Sequence, residues 1–183
     1  MGVAFVVSAF LQVVRGYNAI ETGIIFTAAT AGILGSSLLA ERLAARHSQR
    51  ALIMSGFVVT LGGIVVLLLL VRAWTSAWAF APGLLLIGVG LGAMLTPSVN
   101  VVQSAFPEEQ QGEISGLSRC VSNLGSSLGT AVAGTVLVVG LATPDRSYAA
   151  AMIVLACIGL VGLVASAFLP ATSSATPSAS EAQ

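Results

Sequence analysis

The chain has 183 residues, of which 56% are hydrophobic and 8% charged; all 7 of its basic residues are Arg, they balance 7 acidic ones, and the mean hydropathy is +0.99. An average soluble domain is about 25% charged, and a water-facing shell cannot be built from so few polar residues, which excludes a soluble enzyme and a secreted disulfide domain. The zero net charge removes any electrostatic case for nucleic acid, and Cys120 and Cys157, each within an apolar run, read as small hydrophobes.

In a membrane protein, charges mark where the chain meets water. The first apolar stretch, Gly2–Val14, ends at Arg15. As a helix the residues before Arg15 reach only about 21 Å, short of a bilayer. The stretch has no positive n-region and no small-residue cleavage site, so it does not read as a signal peptide. The expectation is that the chain begins inside a span whose first turns lie upstream. Glu21 to Glu41 then encloses 19 uncharged residues, Arg50 to Arg72 encloses 21, and Arg72 to Glu108 encloses 35. Arg119 to Asp145 encloses 25, and Arg146 to Glu181 encloses 34. Roughly 20 helical residues cross about 30 Å of hydrocarbon, so each gap holds one span. The five full spans are placed near 22–40, 51–71, 79–103, 114–141 and 148–169. Strands are excluded because no ten-residue alternation appears and open strand edges cannot face lipid.

These positions predict an all-α, polytopic bundle of six spans, the first truncated. A membrane domain covers 1–170 and a disordered cytoplasmic tail, rich in Ala, Ser and Thr, covers 171–183. Orientation follows from Arg placement. The loop 41–50 holds Arg42, Arg46 and Arg50, and 104–119 adds Arg119. The opposite side has Arg15, Arg72 and Arg146, so the count is four against three, with the clustering in one short loop deciding it. That loop is expected to be cytoplasmic, and with six spans both termini as well. Trp74 and Trp78 flank the next loop, at a level that suits interfacial aromatic rings.

The fifth span is rich in small residues. Gly116, Gly125, Gly129 and Gly134 recur along it, with Ser115, Ser118, Ser122, Ser126, Ser127 and Thr130 between them. Gly125 and Gly129 form a small-xxx-small pair that lets another helix approach backbone to backbone. The wider spacing resembles the antiporter motif of the major facilitator superfamily, G-x8-G-x3-G-P-x2-G-G. Four of its six fixed positions match; Thr130 replaces the Pro and Ala133 a Gly. The loop Arg42-Leu-Ala-Ala-Arg46-His-Ser-Gln-Arg50 resembles that superfamily's cytoplasmic signature, G-R-L-A-D-R-x-G-R-R. Ala45 replaces its Asp and Ser48 a Gly. A plain positive-inside anchor would account for the same arginines. Leu11 through Gly23, Pro82 through Gly92 with Pro97, and Phe106 through Gly116 resemble further segments of its drug:proton antiporters with 14 spans.

The resemblance covers the chain up to about residue 169. It implies the C-terminal six-helix half of a proton-driven efflux permease, a 3+3 inverted repeat in a bacterial cytoplasmic membrane that exports lipophilic or cationic small molecules. Its partners are then the bilayer, the substrate and a separate N-terminal half, with no nucleic acid and no cofactor. Two other readings stand beside it: a non-transporting remnant or assembly partner, and an autonomous six-span homodimer.

Proton coupling needs an ionisable group within the membrane, and no Asp, Glu, Lys or His lies deep in any span here. The resemblance therefore puts the coupling residues in the other half. The polar residues able to line a substrate path are Gln12, Asn100, Gln103 and Asn123, unless each serves an interhelical hydrogen bond. Arg119, four residues before Asn123, is expected at the interface, snorkelling or paired with Glu113. Met54, Phe80 and Met94 suit packing better than drug binding, and Pro97 should kink the fourth span. A single His, His47, makes a His-based metal site untenable, and no catalytic constellation is present.

Overall fold

The computed structural model describes residues 1–44, 48–73, 77–139 and 144–169. Among the described residues six α-helices follow one another: α1 (Gly2–Ala9), α2 (Ala19–Ala44), α3 (Gln49–Ala73), α4 (Ala81–Ser104), α5 (Gln111–Val139) and α6 (Pro144–Ala167). A π-helical turn, Phe10–Val14, extends α1, and short 3-10 turns precede α4 and α5. Five of the helices are long and apolar enough to cross a membrane, while Gly2–Val14 is shorter. Helix is the form this sequence must take, because only intrahelical bonding satisfies the backbone of an apolar run in lipid. The tail 171–183 and three residues of the basic loop, Ala45, Arg46 and His47, lie outside the described residues.

The spans sit where the charge gaps place them, but two helices begin earlier than their charges suggest. Asn18 caps α2: its Oδ1 accepts the Glu21 amide at 2.8 Å, and its own amide donates to Glu21 Oε2 at 3.0 Å. This reciprocal capping box starts the helix before the membrane does, and such a cap is worth about 1 kcal/mol. Ser48 does the same for α3, its Oγ accepting the Ala51 amide at 3.3 Å. Between α1 and α2 the chain turns at Gly16, whose φ of 72° is a left-handed value that suits Gly. The Tyr17 amide reaches back to the Leu11 carbonyl at 3.0 Å across the widened turn.

α4 lies between α2 and α3, and α1 lies against α5 and α6. α3 touches α6, the π-helical end of α1 touches α2, and α4 touches α5. Exchanging α1 with α4, α2 with α5 and α3 with α6 leaves this set of pairings unchanged, the signature of a 3+3 inverted repeat.

Glycines set the tightest approaches. A Cβ at Gly88 would fall on the Ala29 carbonyl oxygen of α2, and one at Gly92 on Ser36 Oγ. On the other side a Cβ at Gly90 would meet Thr60 Oγ1 of α3. The neighbours reciprocate: a Cβ at Gly32 would lie 2.5 Å from the Leu85 carbonyl oxygen, and one at Gly56 would lie 2.7 Å from that of Gly90. Such contacts supply the van der Waals and weak polar attraction that replaces a hydrophobic drive inside lipid. α4 runs unbroken through a fully buried Pro97.

The core gathers at one end of the bundle. Phe10, Phe80 and Tyr148 pack ring against ring, with centroids 4.4 Å apart for Phe10–Tyr148 and 6.0 Å for Phe10–Phe80. Val6, Val7, Leu11, Leu67, Leu84 and Met152 complete it. Phe80 is therefore a packing residue. We call this the aromatic end. The other, which carries Arg42 and Arg50, is the basic-loop end.

Candidate functional site

α5 is the most outward-lying of the five long helices, with 6% of its most apolar window buried against 39% for the window in α4. Its two sides differ. Leu117, Val121, Leu124, Leu128 and Val132 are exposed and repeat at helical spacing, forming a lipid-type stripe. Ser115, Ser122 and Ser126 precede Ala133 by 18, 11 and 7 residues, so all four share one face. Ala133 is fully buried and belongs to the aromatic-end core. The polar face of α5 therefore points inward at that end, and continues toward the basic-loop end with open space beside it.

The sequence-derived candidates divide between the two ends. Gln103 of α4 and Ser115 of α5 meet: Gln103 Nε2 donates to Ser115 Oγ at 3.1 Å. That bond links the end of α4 to the start of α5, and interhelical bonds in membranes average about 0.6 kcal/mol. Asn100, three residues before Gln103, and Asn123, eight after Ser115, are both exposed. Gln12 is not part of this group. It lies at the aromatic end, and its Nε2 donates to Ser8 Oγ at 2.9 Å on its own helix. The 19 residues from Ser115 to Gly134, which faces Phe5 of α1, correspond to roughly 28 Å along α5.

Arg119 is exposed and belongs to the same polar face, four residues before Asn123. The expected pairing with Glu113 does not form, because six residues of helix turn the two side chains about 240° apart. From Arg119 to Val139 the helix rises roughly 30 Å, the thickness of a hydrocarbon core. Arg42 is exposed in the last turn of α2, where it favours the helix dipole, and Arg50 is half-buried in the first turn of α3. Arg46 lies outside the described residues.

The glycines of α5 differ from those of α4. A Cβ at Gly116, Gly125 or Gly129 would meet nothing within 4 Å, and one at Gly134 would reach Phe5 Cε1 at 3.4 Å. Backbone contact does occur from the other side, since a Cβ at Gly2 would sit 3.0 Å from the Gly129 carbonyl oxygen. Tight packing within this chain thus belongs to Gly83, Gly88, Gly90 and Gly92, which sequence reading noted only as a resemblance. Their signal is the alternation of Gly at 88, 90 and 92, which offers bare backbone to helices on two sides at once. Among the described residues no group of three His, Cys, Asp or Glu could hold a metal ion.

All of the chain, residues 1–183, matches the family model of the Major Facilitator Superfamily. It is 33% identical over 136 residues to the multidrug resistance protein Stp of Mycobacterium tuberculosis, covering 74% of this chain and 25% of that protein. It is 28% identical over 138 residues to the puromycin resistance protein pur8 of Streptomyces alboniger, covering 74% of this chain and 27% of that protein. The multidrug efflux pump LfrA of Mycolicibacterium smegmatis is 26% identical over 136 residues, covering 74% and 27%. The chain spans about a quarter of the length of these curated relatives.

Proposed function

The chain belongs to the major facilitator superfamily of membrane transporters, and we propose that it serves as the C-terminal half of a proton-coupled efflux permease. The observation that carries this reading is the inward polar face of α5, left open toward the basic-loop end. A span with such a face cannot be covered by lipid, so water or another protein must cover it. In a permease that rocks one half against another, both do so in turn. Gly116 and Gly125, on opposite sides of α5 and both without a neighbour in this chain, leave bare backbone that helices of the N-terminal half can approach. Asn100, Gln103, Asn123 and Arg119 supply polar groups along the path, with Gln12 at its far end.

The relatives named for drug, puromycin and multidrug resistance or efflux support lipophilic or cationic small molecules as the exported class. Arg42, Arg46 and Arg50 then mark the cytoplasmic side of a bacterial inner membrane, and both termini lie on that side. The proton site falls outside this chain, whose described spans carry no buried carboxylate. The test is transport in everted membrane vesicles holding the chain together with an N-terminal half. Uptake of ethidium should follow an imposed proton gradient and stop when a protonophore collapses it. Uptake that ignores the protonophore would remove the proton-coupled reading. If no N-terminal half restores transport, the remnant reading stands instead.

A further inference from the structure

The turn that extends α1 is wound more widely than the helix before it. Over Phe10–Val14 it is π-helical, and the Arg15 amide donates to the Phe10 carbonyl at 3.1 Å. Such a turn holds one residue more than an α turn, and π turns cluster at functional sites. Both ends of the segment are pinned. A Cβ at Gly2 would lie 2.9 Å from Leu155 Cδ2 and 3.0 Å from the Gly129 carbonyl oxygen, so α1 has no room to rotate there. At the other end Asn18 caps α2. The extra residue must therefore stay within the segment. It can still travel along it, because Gln12, Val13 and Val14 are exposed and lose little packing by moving.

Moving the wide turn to the residues before Phe10 winds Phe10–Val14 into α-helix. Each of these residues then rotates by about one helical step, roughly 100°, into the direction its predecessor held. Phe10 takes the direction of Ala9, which lines a groove of about 250 Å³ between α1, α5 and the start of α6. A cavity of about 150 Å³ holds benzene, so the groove has room for the ring. Phe5, Val13, Gly134 and Val138 line it, and Phe10 already borders it. Leu11 takes the direction of Phe10, over Tyr148. Gln12 takes that of Leu11, which is fully buried in the core that holds Tyr148. The Tyr148 hydroxyl is buried there without a hydrogen-bond partner among the described residues, a costly state for a polar group. An amide carried into that core supplies what the hydroxyl lacks.

We infer that α1 carries a two-position gate at the aromatic end. In the position seen here Phe10 stacks on Tyr148, and Gln12 is exposed and bonded to Ser8. In the other, Phe10 lies in the groove and Gln12 bonds the Tyr148 hydroxyl. Packed cores switch between discrete arrangements instead of deforming smoothly, and the ring has two seats with none between. The Arg15 guanidinium, 5.4 Å from the centre of the Phe10 ring, favours the position seen here. The inference concerns packing within this half and holds whether or not the chain transports.

Bridging of two thiols tests it in the full chain reconstituted in vesicles. Gln12→Cys and Tyr148→Cys are introduced after Cys120 and Cys157 have been replaced by Ser. Dibromobimane, which fluoresces once it links two thiols, is then added. In the position seen here residues 10 and 12 point to nearly opposite sides of α1, and residue 10 faces 148, so the thiols face apart. In the other position the link forms. Deleting Val13 removes the extra residue and leaves residue 10 on residue 148, so bridging should fall at least tenfold. Gly134→Leu, which fills the groove, should lower it severalfold. Circular dichroism of each variant shows whether the helices persist, and Gly134→Leu decides alone if the deletion unfolds them. Absence of bridging in the parent overturns the inference, as does bridging that the folded deletion or Gly134→Leu leaves unchanged.

Discussion

Gly88→Ala should destabilise the bundle by about 1–3 kcal/mol or more, the range for forcing extra carbon into a well-packed interior. The added methyl would land on the Ala29 carbonyl oxygen, which is backbone and cannot rotate aside. α2 and α4 must then separate along their whole contact. Gly92→Ala and Gly90→Ala should also destabilise, because turning the Ser36 and Thr60 hydroxyls aside still leaves the Ile33 and Gly56 carbonyl oxygens 2.5 Å from the new methyls. Gly125→Ala provides the contrast. Nothing lies within 4 Å of its new methyl, and Ala forms helix better than Gly, so the isolated half should be unchanged or slightly more stable. Unfolding in mixed micelles of rising dodecyl sulfate fraction measures both. Equal losses for Gly88→Ala and Gly125→Ala would contradict the packing described for α4. The same Gly125→Ala change should lower transport in the assembled permease, if α5 docks on the other half as proposed.

Phe10→Ala should cost about 3–5 kcal/mol. The ring is 1% exposed and touches both other members of the aromatic knot, so its loss leaves a void that three helices share. Tyr148→Phe should move stability the other way. The Tyr148 hydroxyl is buried without a hydrogen-bond partner, and such a group costs about 1–3 kcal/mol. Removing it keeps the ring and its packing. The same micelle titration reads the sign: a loss with Tyr148→Phe would mean that the hydroxyl has a partner in the membrane, a bound water or a polar group of the other half.

The sequence made the number and placement of the spans legible, because in lipid both rest on one strong constraint, the absence of charge over about 20 residues. It was less informative about where helices begin. By charge Glu21 and Arg50 mark the edges of spans, yet Glu21 is half of a capping box with Asn18, and Arg50 lies inside a helix started by Ser48. Charge locates the water boundary, while caps locate the helix boundary, and the two need not coincide. The glycine spacing of α5 suggested close packing, but spacing says only that a backbone can be approached. Which helix approaches depends on contacts far apart in the chain, and those give the tight role to Gly88, Gly90 and Gly92. Gln103 was legible as an amide needing a partner; that Ser115 answers it was not, since the pairing depends on how α4 meets α5.

The two-sided character of α5 also bears on how the protein is made. A segment leaving the translocon partitions by the sum of its side chains, and polar ones oppose its release into lipid. α5 has a hydropathy of 1.3 against 2.6 for α3, so alone it is a marginal candidate for lateral release. Its serines and Asn123 find relief only beside other helices. A glycosylation-tag insertion assay should find α3 integrating by itself, whereas α5 should integrate efficiently only when synthesised together with α4 and α6. Biogenesis of this half is then a matter of groups of helices held back and released together.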